Sequence, residues 1–170
     1  MAARSRTLDA LKAHLGPADG ECTTSEFRGD TRVVVAKEKL LAGMQFLRDV
    51  QKFDLLVDVT CVDYLNYRDA TDRFGLVYLL ANTTSNERLT VRVMLNEPDL
   101  TVPSLVPLWP GANWLEREVW DMFGIRFDGH PNHIRILLPE EFTAHPLRKD
   151  YPLQGRGERH NFERLTRNEA

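Results

Sequence analysis

The chain has 170 residues, enough for one domain with a buried core, and its 42% apolar and 28% charged residues are ordinary for a globular protein. A net charge of −3 gives it no overall attraction to nucleic acid or to an anionic lipid surface. No apolar run reaches the roughly 20 residues of a transmembrane helix. The start of the chain also lacks the apolar block of a secretory signal, so an ordinary first helix is predicted.

Two segments near the start have the apolar spacing of amphipathic helices. The first is predicted to end at Gly16-Pro17, and the second covers residues 37–51. Between them, residues 21–28 and 31–36 predict two short strands joined by a turn at Gly29-Asp30. The apolar positions that define the helices are Leu8, Leu11 and Leu15 in the first and Leu40, Met44 and Leu47 in the second.

Three longer segments alternate apolar and polar residues, which is typical of strands. The first covers residues 53–66, and the other two form a hairpin with a polar link at 82–88. Because each hairpin arm is apolar on one face only, we expect helices to cover one side of the sheet. The predicted inward positions are Leu55, Val57, Val59 and Cys61, then Phe74, Leu76, Tyr78 and Leu80, then Leu89, Val91, Val93 and Leu95.

Prolines dominate two later segments. Four of the nine lie in residues 96–114, which predicts an extended connector. A helix is then expected from Asn113, with Glu116 completing a capping-box-like pair and Gly124 ending the helix. Its predicted buried side is Leu115, Val119 and Met122. After Gly124 the chain is predicted to stay irregular, because prolines recur there every six to eight residues: Pro131, Pro139, Pro146 and Pro152.

These elements predict an α+β fold. A two-layer domain at residues 1–123 would contain a mixed sheet of about five strands, with helices mainly on one face. Residues 124–170 would form an extended, proline-punctuated C-terminal arm. Such an arm has little room for a core of its own, so we expect it to lie along this domain or along a partner.

The acids and histidines between Asn113 and Pro139 form the densest candidate site. Glu116 and Glu118 point to different sides of a helix, whereas Glu118 and Asp121 share one. A hydrolase pair would need carboxyl groups that converge across a cleft. We interpret the three acids instead as complementing the positive end of the helix dipole.

Other site chemistries have weaker support in the sequence. A metal at His130-x-x-His133 is disfavoured because prolines oppose a helix there and no HExxH motif is present; histidines bonded to backbone in a turn are the preferred interpretation. No nucleophile elbow, P-loop or G-x-G-x-x-G occurs. Cys22 and Cys61 cannot supply the four ligands of an iron–sulfur cluster and are predicted to be buried, reduced thiols.

The remaining candidate is the stretch from His145 to Leu153, where Pro146 and Pro152 enclose a charged triplet. An arginine fork beside a tyrosine suits protein recognition, and a solvated charged turn is the alternative. The triplet and its tyrosine are Arg148, Lys149, Asp150 and Tyr151.

Three stretches in the C-terminal half occur in an order that is highly specific: EREVWDMFGIRFDGHP, RILLPEEF and HPLRKDYPL. In this order they closely resemble the C-type subunits of bacterial NADH–quinone oxidoreductase, the 30 kDa subunit family of respiratory complex I. Ile134 departs from the family pattern, since relatives often carry a basic residue there. The matching positions are Glu116, Arg117, Glu118, Asp121, Met122, Phe123, Gly124, His130, Pro131, Arg135, Ile136, Leu137, Pro146, Leu147, Arg148, Lys149, Asp150 and Tyr151.

The resemblance implies a cofactor-free, non-catalytic structural subunit in the peripheral arm of a proton-translocating complex. FMN and iron–sulfur clusters would belong to other subunits. The implied partners are the quinone-site subunit and the terminal-cluster subunit, with no nucleic acid. The implied location is the cytoplasmic face of the bacterial inner membrane, through the complex. Arg148, Lys149 and Asp150 would contact partners, while Glu116, Arg117 and Glu118 would pin the start of the arm by salt bridges.

Two alternatives stay open from the sequence. A membrane-bound hydrogenase or a ferredoxin-dependent plastoquinone reductase would use an equivalent subunit, because this subunit does not touch the electron donor. A free-standing metal-dependent hydrolase would instead use His130, His133 and an acid.

Overall fold

The computed structural model describes residues 2–16 and 22–158, and a five-stranded sheet lies at its centre. The predicted stop at Pro17, the predicted first strand residue Glu21 and the end of the arm after Glu158 lie outside the described residues. In chain order the elements are α1 (Ala2–Leu15), β1 (Cys22–Phe27), β2 (Asp30–Val35), a 3-10 turn (Lys37–Lys39), α2 (Leu40–Asp49), β3 (Leu55–Asp63), β4 (Phe74–Asn82), β5 (Glu87–Leu95), β6 (Thr101–Pro103), α3 (Ala112–Phe123) and β7 (Arg126–Asp128).

The sheet has the strand order β1-β2-β5-β4-β3. Only the β2–β5 pair is parallel, so the sheet is mixed. β4 and β5 form the predicted hairpin, with Phe74 opposite Leu95 and Asn82 opposite Glu87. The predicted α+β class with a mixed sheet of five strands is confirmed.

The core lies between the inner face of this sheet and the three helices. All eight inward positions predicted for the hairpin are buried, and they join one cluster with buried residues of the helices, including Leu11, Met44 and Val119. Cys61 is buried in this core, but Cys22 is only half-buried at the edge strand, which corrects part of the cysteine prediction. Both thiols are free.

The predicted inward face of β3 is correct only in its second half. Val59 and Cys61 are buried, but Leu55 and Val57 are 45% and 51% exposed. The pairing with β4 shifts between Leu56 and Asp58, and an extra residue at a β-bulge reverses the alternation before it. Beyond the bulge every second residue of β3 is buried as far as Asp63. The inward face of β3 therefore ends in a buried carboxylate.

The start of α3 differs from the prediction. The helix begins at Ala112 with Gly111 at its N-cap and no side-chain cap, so the predicted capping box is wrong. The dipole interpretation is also wrong, because the first turn contains no acid and both Glu116 and Asp121 are fully buried. Glu118 is exposed and does not share a side with Asp121.

The end of α3 follows the sequence pattern. Gly124 takes a left-handed conformation, φ 77°, and its N–H bonds the carbonyl of Trp120. The prediction that the chain stays irregular after Gly124 is wrong for the next few residues. Arg126–Asp128 form β7, which pairs in parallel with β6, and Ile125 and Phe127 are buried. Among the described residues, no helix is long and apolar enough to cross a membrane.

Candidate functional site

Residues 129–158 run over the domain without helix or extended strand and are called the arm segment below. Its backbone is held to the body at three places by polar side chains. These side chains are called the clamp. They come from α3 (Arg117 and Asp121), from the end of β3 (Asp63), from the residue before β4 (Arg73), from the segment after β5 (Glu97), and from the arm segment itself (Arg135, Arg148 and Asp150).

The first part of the clamp is the guanidinium of Arg117 on α3. Its Nε donates to the carbonyl of Ile134 at 3.0 Å, and its Nη2 donates to the carbonyl of Arg135 at 3.0 Å. The rigid donor fork of arginine suits two successive carbonyls. Arg117 therefore bonds the start of the arm segment through backbone acceptors, whereas the resemblance implied salt bridges.

The second part is the carboxylate of Asp121, which is fully buried. One oxygen accepts the N–H groups of three successive arm residues at 3.1, 2.8 and 2.9 Å: Ile136, Leu137 and Leu138. The other oxygen accepts Nη1 of Arg135. Burial disfavours the charged carboxylate, but the hydrogen bonds outweigh burial and lower the pKa of Asp121.

The arm segment also caps the end of α3, where helix carbonyls lack partners. The carbonyls of Asp121, Met122 and Phe123 accept, in turn, Nδ1 of His145 at 3.0 Å, the N–H of Leu147 at 3.2 Å and Nε of Arg148 at 2.6 Å. Because a carbonyl can only accept, Nδ1 of His145 carries a proton. Burial lowers the pKa of His145, although the bond to Asp121 opposes this change.

Gly124 is needed for this close approach. A Cβ there would lie 2.6 Å from the ring of His145 and 2.7 Å from Nη2 of Arg148. Its positive φ also favours glycine, because a side chain is strained in that conformation. The helix end, the glycine and the arm segment are thus fitted to one another.

The third part is a charge cluster around the ring of Phe74. Glu97 bonds Nη1 of Arg73 and Nη1 of Arg148, each at 2.9 Å, and both guanidinium groups lie within 5.3 Å of the ring centroid. Arg73 also bonds Asp150 at 2.9 Å, and this hydrogen bond lowers the pKa of Asp150. The buried carboxylate of Asp63 accepts the N–H of Lys149 at 2.8 Å.

Glu116 lies beneath the clamp and supports the connector. Its two oxygens accept Oγ of Ser104 and the N–H of Leu105, both at 2.7 Å. Burial raises the pKa of Glu116 to about 7, while these two hydrogen bonds oppose the rise. The nearest imidazole nitrogen, Nε2 of His130, is 4.0 Å away.

The two histidines of the candidate metal site are bonded to backbone groups. His130 uses Nε2 on the carbonyl of Asn113 and Nδ1 on the N–H of Asn132, each at 3.0 Å. His133 accepts the N–H of Phe127 through Nε2 at 3.3 Å. Within the described part of the chain, no group of three or more potential metal ligands occurs.

The structure brings only part of the predicted motif together. Glu116, Arg117, Asp121, Gly124, His130, Arg135, Arg148 and Asp150 meet in or next to the clamp, as the contacts above show. Phe123 offers its carbonyl and is buried at the end of α3, whereas Tyr151 packs against Phe142 at 6.0 Å. Arg148 and Asp150, expected to contact partners, bond within the chain. The positions that lie apart are Glu118, Pro131 and the side chain of Lys149, all exposed, and the half-buried Pro146. Leu147 bonds the end of α3 through its N–H, but its side chain is exposed.

Sequence reasoning missed several clamp residues. Asp63 carried a usable signal, because it follows Val59 and Cys61 in the apolar phase of its strand, where an acid is unusual. Glu116 was named as a site residue, but its burial was not expected, although it lies on the apolar stripe of its helix, four residues after Ala112 and three before Val119. No local pattern indicated the others: Arg73, Glu97 and Ser104.

A family model described as "Respiratory-chain NADH dehydrogenase, 30 Kd subunit" matches residues 33–157, which include the whole clamp. The C-type subunit of the NADH-quinone oxidoreductase of Citrifermentans bemidjiense is 44% identical over 155 residues, 91% of this chain and 93% of that protein. The protein of the same name from Trichlorobacter lovleyi is 50% identical over 130 residues, 76% of this chain and 79% of that protein.

Two solved structures are similar. A trypsin-resistant fragment (1–134) of Nqo5 has a TM-score of 0.68 at 33% identity, over 76% of this chain and 98% of that chain. A chain of the membrane-bound sulfane sulfur reductase, an archaeal respiratory membrane complex, shares the fold with a TM-score of 0.70 at 22% identity, over 89% of this chain and 85% of that chain. The expected resemblance is confirmed: the chain belongs to the family of the 30 kDa subunit of respiratory-chain NADH dehydrogenase.

Proposed function

We propose that this chain is a cofactor-free structural subunit in the peripheral arm of proton-translocating NADH:quinone oxidoreductase, and that its arm docks on partner subunits. Its relatives are named as C-type subunits of NADH-quinone oxidoreductase. On this proposal residues 1–123 are the body and residues 124–170 the arm that contacts partners. NADH, FMN, iron–sulfur clusters and quinone are bound by other subunits.

One observation carries the docking role. The clamp fixes the backbone of the arm segment, while four large aliphatic side chains of the arm segment are exposed to solvent. Ile134, Leu137 and Leu147 are 47%, 61% and 51% exposed, and Leu153 is fully exposed. These four residues are called the apolar row. Exposed apolar side chains grouped on one segment are typical of a surface that another protein covers.

The clamp also supports docking energetically. An arm that is ordered before binding loses less conformational entropy when it meets its partner. The motif residues Arg117, Asp121 and Arg148 therefore act by positioning, and the aliphatic residues between them make the contact. Lys149 keeps its side chain exposed and is available as a charged contact at the rim.

The partners that the resemblance implies are the quinone-site subunit and the terminal-cluster subunit. The complex would hold this chain at the cytoplasmic face of the inner membrane. A second candidate is the equivalent subunit of a related complex, because a chain of the sulfane sulfur reductase complex has the same fold. A free-standing metal-dependent hydrolase is disfavoured, because backbone groups already occupy three of the imidazole nitrogens of His130 and His133.

The proposal is tested by placing charge in the apolar row. In the native host, Leu137→Asp combined with Leu153→Asp is expected to reduce co-purification of the quinone-site subunit by about tenfold or more, since buried charge opposes association. Val50→Asp is the matched control, because Val50 is a 59% exposed aliphatic residue at the end of α2 and does not belong to the arm segment. Normal assembly of the double variant would contradict the docking role, provided that it folds like the control.

A further inference from the structure

The face of the sheet opposite the helices carries an open groove of about 590 Å³. Its floor is formed by Val34 of β2 and by Arg92 and Met94 of β5. Tyr64 and Tyr67 form one wall, and Thr23 of β1 closes the other side. The groove shares no residue with the clamp or with the apolar row.

Arg92 is the unusual residue of this floor. On one side its cross-strand partner is Val34, and on the other it is Val77. The aliphatic stem of the arginine therefore lies between two valine side chains, and its Nε is buried without a hydrogen-bond acceptor. No ion pair of Arg92 occurs among the described residues. A buried donor without an acceptor is unfavourable, and a charged donor more so.

The other charges around the groove do not meet this need. Asp72 accepts Nδ2 of Asn96 at 2.6 Å and Oγ1 of Thr71 at 3.0 Å. Arg68 and Asp69 are exposed on the rim, where water solvates them. The groove thus offers one half-buried arginine whose guanidinium has no carboxylate partner among the described residues.

The wall of the groove is preformed and aromatic. Tyr64 covers Gly75, where a Cβ would lie 2.7 Å from the tyrosine ring. Tyr67 packs edge-on to Tyr64 with ring centroids 5.2 Å apart, yet it stays 62% exposed, and Leu65 beside it is 47% exposed. Rigid, partly exposed tyrosines next to an arginine form the residue set that dominates protein–protein contacts.

We propose that this groove binds an extended segment of another subunit of the same complex, with an Asp or Glu on Arg92 and an apolar side chain against Tyr64 and Tyr67. The carboxylate would pair with the guanidinium of Arg92, which has no ion pair among the described residues, and the apolar side chain would cover the exposed ring of Tyr67. A free small anion would leave Tyr67 and Leu65 exposed, so a peptide segment accounts for more of the surface. The proposal rests on the proposed function only for the identity of the complex.

The test uses the intact complex from native membranes with a photoreactive phenylalanine in place of Tyr67. Cross-linking and mass spectrometry are expected to identify one peptide of another subunit, and that peptide should contain an Asp or Glu. The same probe at Val50 is the control and should not yield this peptide. Arg92→Glu should reduce the cross-link about tenfold or more, because it sets like charges against each other. Arg92→Lys should retain part of it.

A charge exchange completes the test. Replacing the acidic residue of the cross-linked peptide by Lys should restore cross-linking to the Arg92→Glu chain. Arg92→Gln removes the charge at similar volume and replaces Arg92→Glu if that variant does not accumulate. The proposal is overturned if Tyr67 yields no cross-link in an assembled complex, if the Arg92 variants leave the yield unchanged, or if the probe captures residues 159–170 of this chain or a second copy of it.

The two proposals fail in different ways in this experiment. If the chain assembles with NADH:quinone activity but no peptide is captured, only the groove proposal is wrong. If an acidic peptide is captured from a protein of some other assembly, the groove still binds its predicted chemistry and the proposed function is wrong.

Discussion

The carboxylate of Asp121 accepts the backbone N–H of Leu137 at 2.8 Å, sixteen positions further along the chain. At the same time the side chain of Leu137 is 61% exposed. The motif acid therefore fixes the backbone of a residue whose side chain faces solvent. On the docking proposal, this relationship explains how a motif rich in charge can serve a contact made largely by aliphatic residues.

Removing the charge of Asp121 should release the arm segment. Asp121→Asn places an amide where four donors point, so we expect a loss of about 3 kcal/mol or more in the free energy of unfolding, as for other broken buried pairs. Chemical denaturation measures the loss, and limited proteolysis should show earlier cleavage within residues 134–145. Glu118→Gln, an exposed substitution one turn away, is the control and should change stability by about 0.5 kcal/mol or less. Equal stability of the two variants would show that Asp121 does not hold the arm.

Glu116 should make the fold less stable as the pH rises. Its pKa of about 7 in the folded protein lies above the ordinary value of 4.5, so the folded state binds the extra proton between these values. Stability is therefore expected to fall from about pH 4.5 to about pH 7, and the loss is complete above the folded pKa. Glu116→Gln keeps the shape without the charge and should flatten this part of the profile, with a gain of about 1–3 kcal/mol at pH 8. Denaturation midpoints from pH 4 to 9 test this, and parallel profiles would contradict it.

Asp121 should make the fold more stable as the pH rises, which is the opposite of the effect of Glu116. Because its pKa is lowered in the folded protein, its contribution to stability is complete above the ordinary value of 3.8 and is lost as the pH falls through the folded pKa. The acid-induced loss should be smaller in Asp121→Asn than in the wild type, as measured by fluorescence between pH 2 and 5. If the loss of stability between pH 5 and pH 2 were the same in both proteins, Asp121 would not be held as a carboxylate.

Gly124 and Gly129 provide a matched pair, because both have φ 77°. A Cβ at Gly124 would meet His145 and Arg148, whereas a Cβ at Gly129 would meet nothing within 4 Å. Both alanine variants should lose about 1–2 kcal/mol from backbone strain. Gly124→Ala should lose more and also reduce co-purification of partner subunits, because it displaces the arm segment. Equal losses in thermal unfolding would show that the contact with His145 and Arg148 is unimportant.

Two of the three acids in the charge cluster around Phe74, Glu97 and Asp63, should contribute unequally to the free energy of unfolding. Glu97 is 46% exposed, so solvent screens its ion pairs and Glu97→Gln should cost no more than about 1 kcal/mol. Asp63 is fully buried on its side chain and accepts the N–H groups of Lys149 and Leu65, so Asp63→Asn should cost about 2 kcal/mol or more. Urea denaturation of the two variants compares them, and a larger loss for Glu97→Gln would reverse this ranking.

The sheet was predictable because its signal is local. Alternation in β4 and β5 identifies every inward residue, since the two strands pair without a register shift. The bulge at Leu56 and the hydrogen bonds of Glu116 were not predictable in the same way. They depend on partners far along the chain, such as β4 for the first and Ser104 for the second.

The sequence predicted many of the residues of the candidate site but not the groups that they bond. The motif residues near Glu116 and Arg148 were identified, and most of them meet in space. Their hydrogen-bonding partners are backbone groups of the arm segment and of α3, which no spacing rule in the sequence identifies. The helix-dipole interpretation considers only the position of an acid along the helix. It was wrong for Glu116 and Asp121 because tertiary contacts decide which side chains are buried.

Co-purification from native membranes tests the central claim most directly. The chain would be mildly tagged, extracted in gentle detergent and eluted, and NADH:quinone activity and the co-eluting proteins would be measured. Elution with the quinone-site subunit and with NADH:quinone activity is the predicted result. Elution of the folded chain alone and in full yield would contradict the structural-subunit account, and elution with the quinone-site subunit but without NADH oxidation would instead favour a related complex.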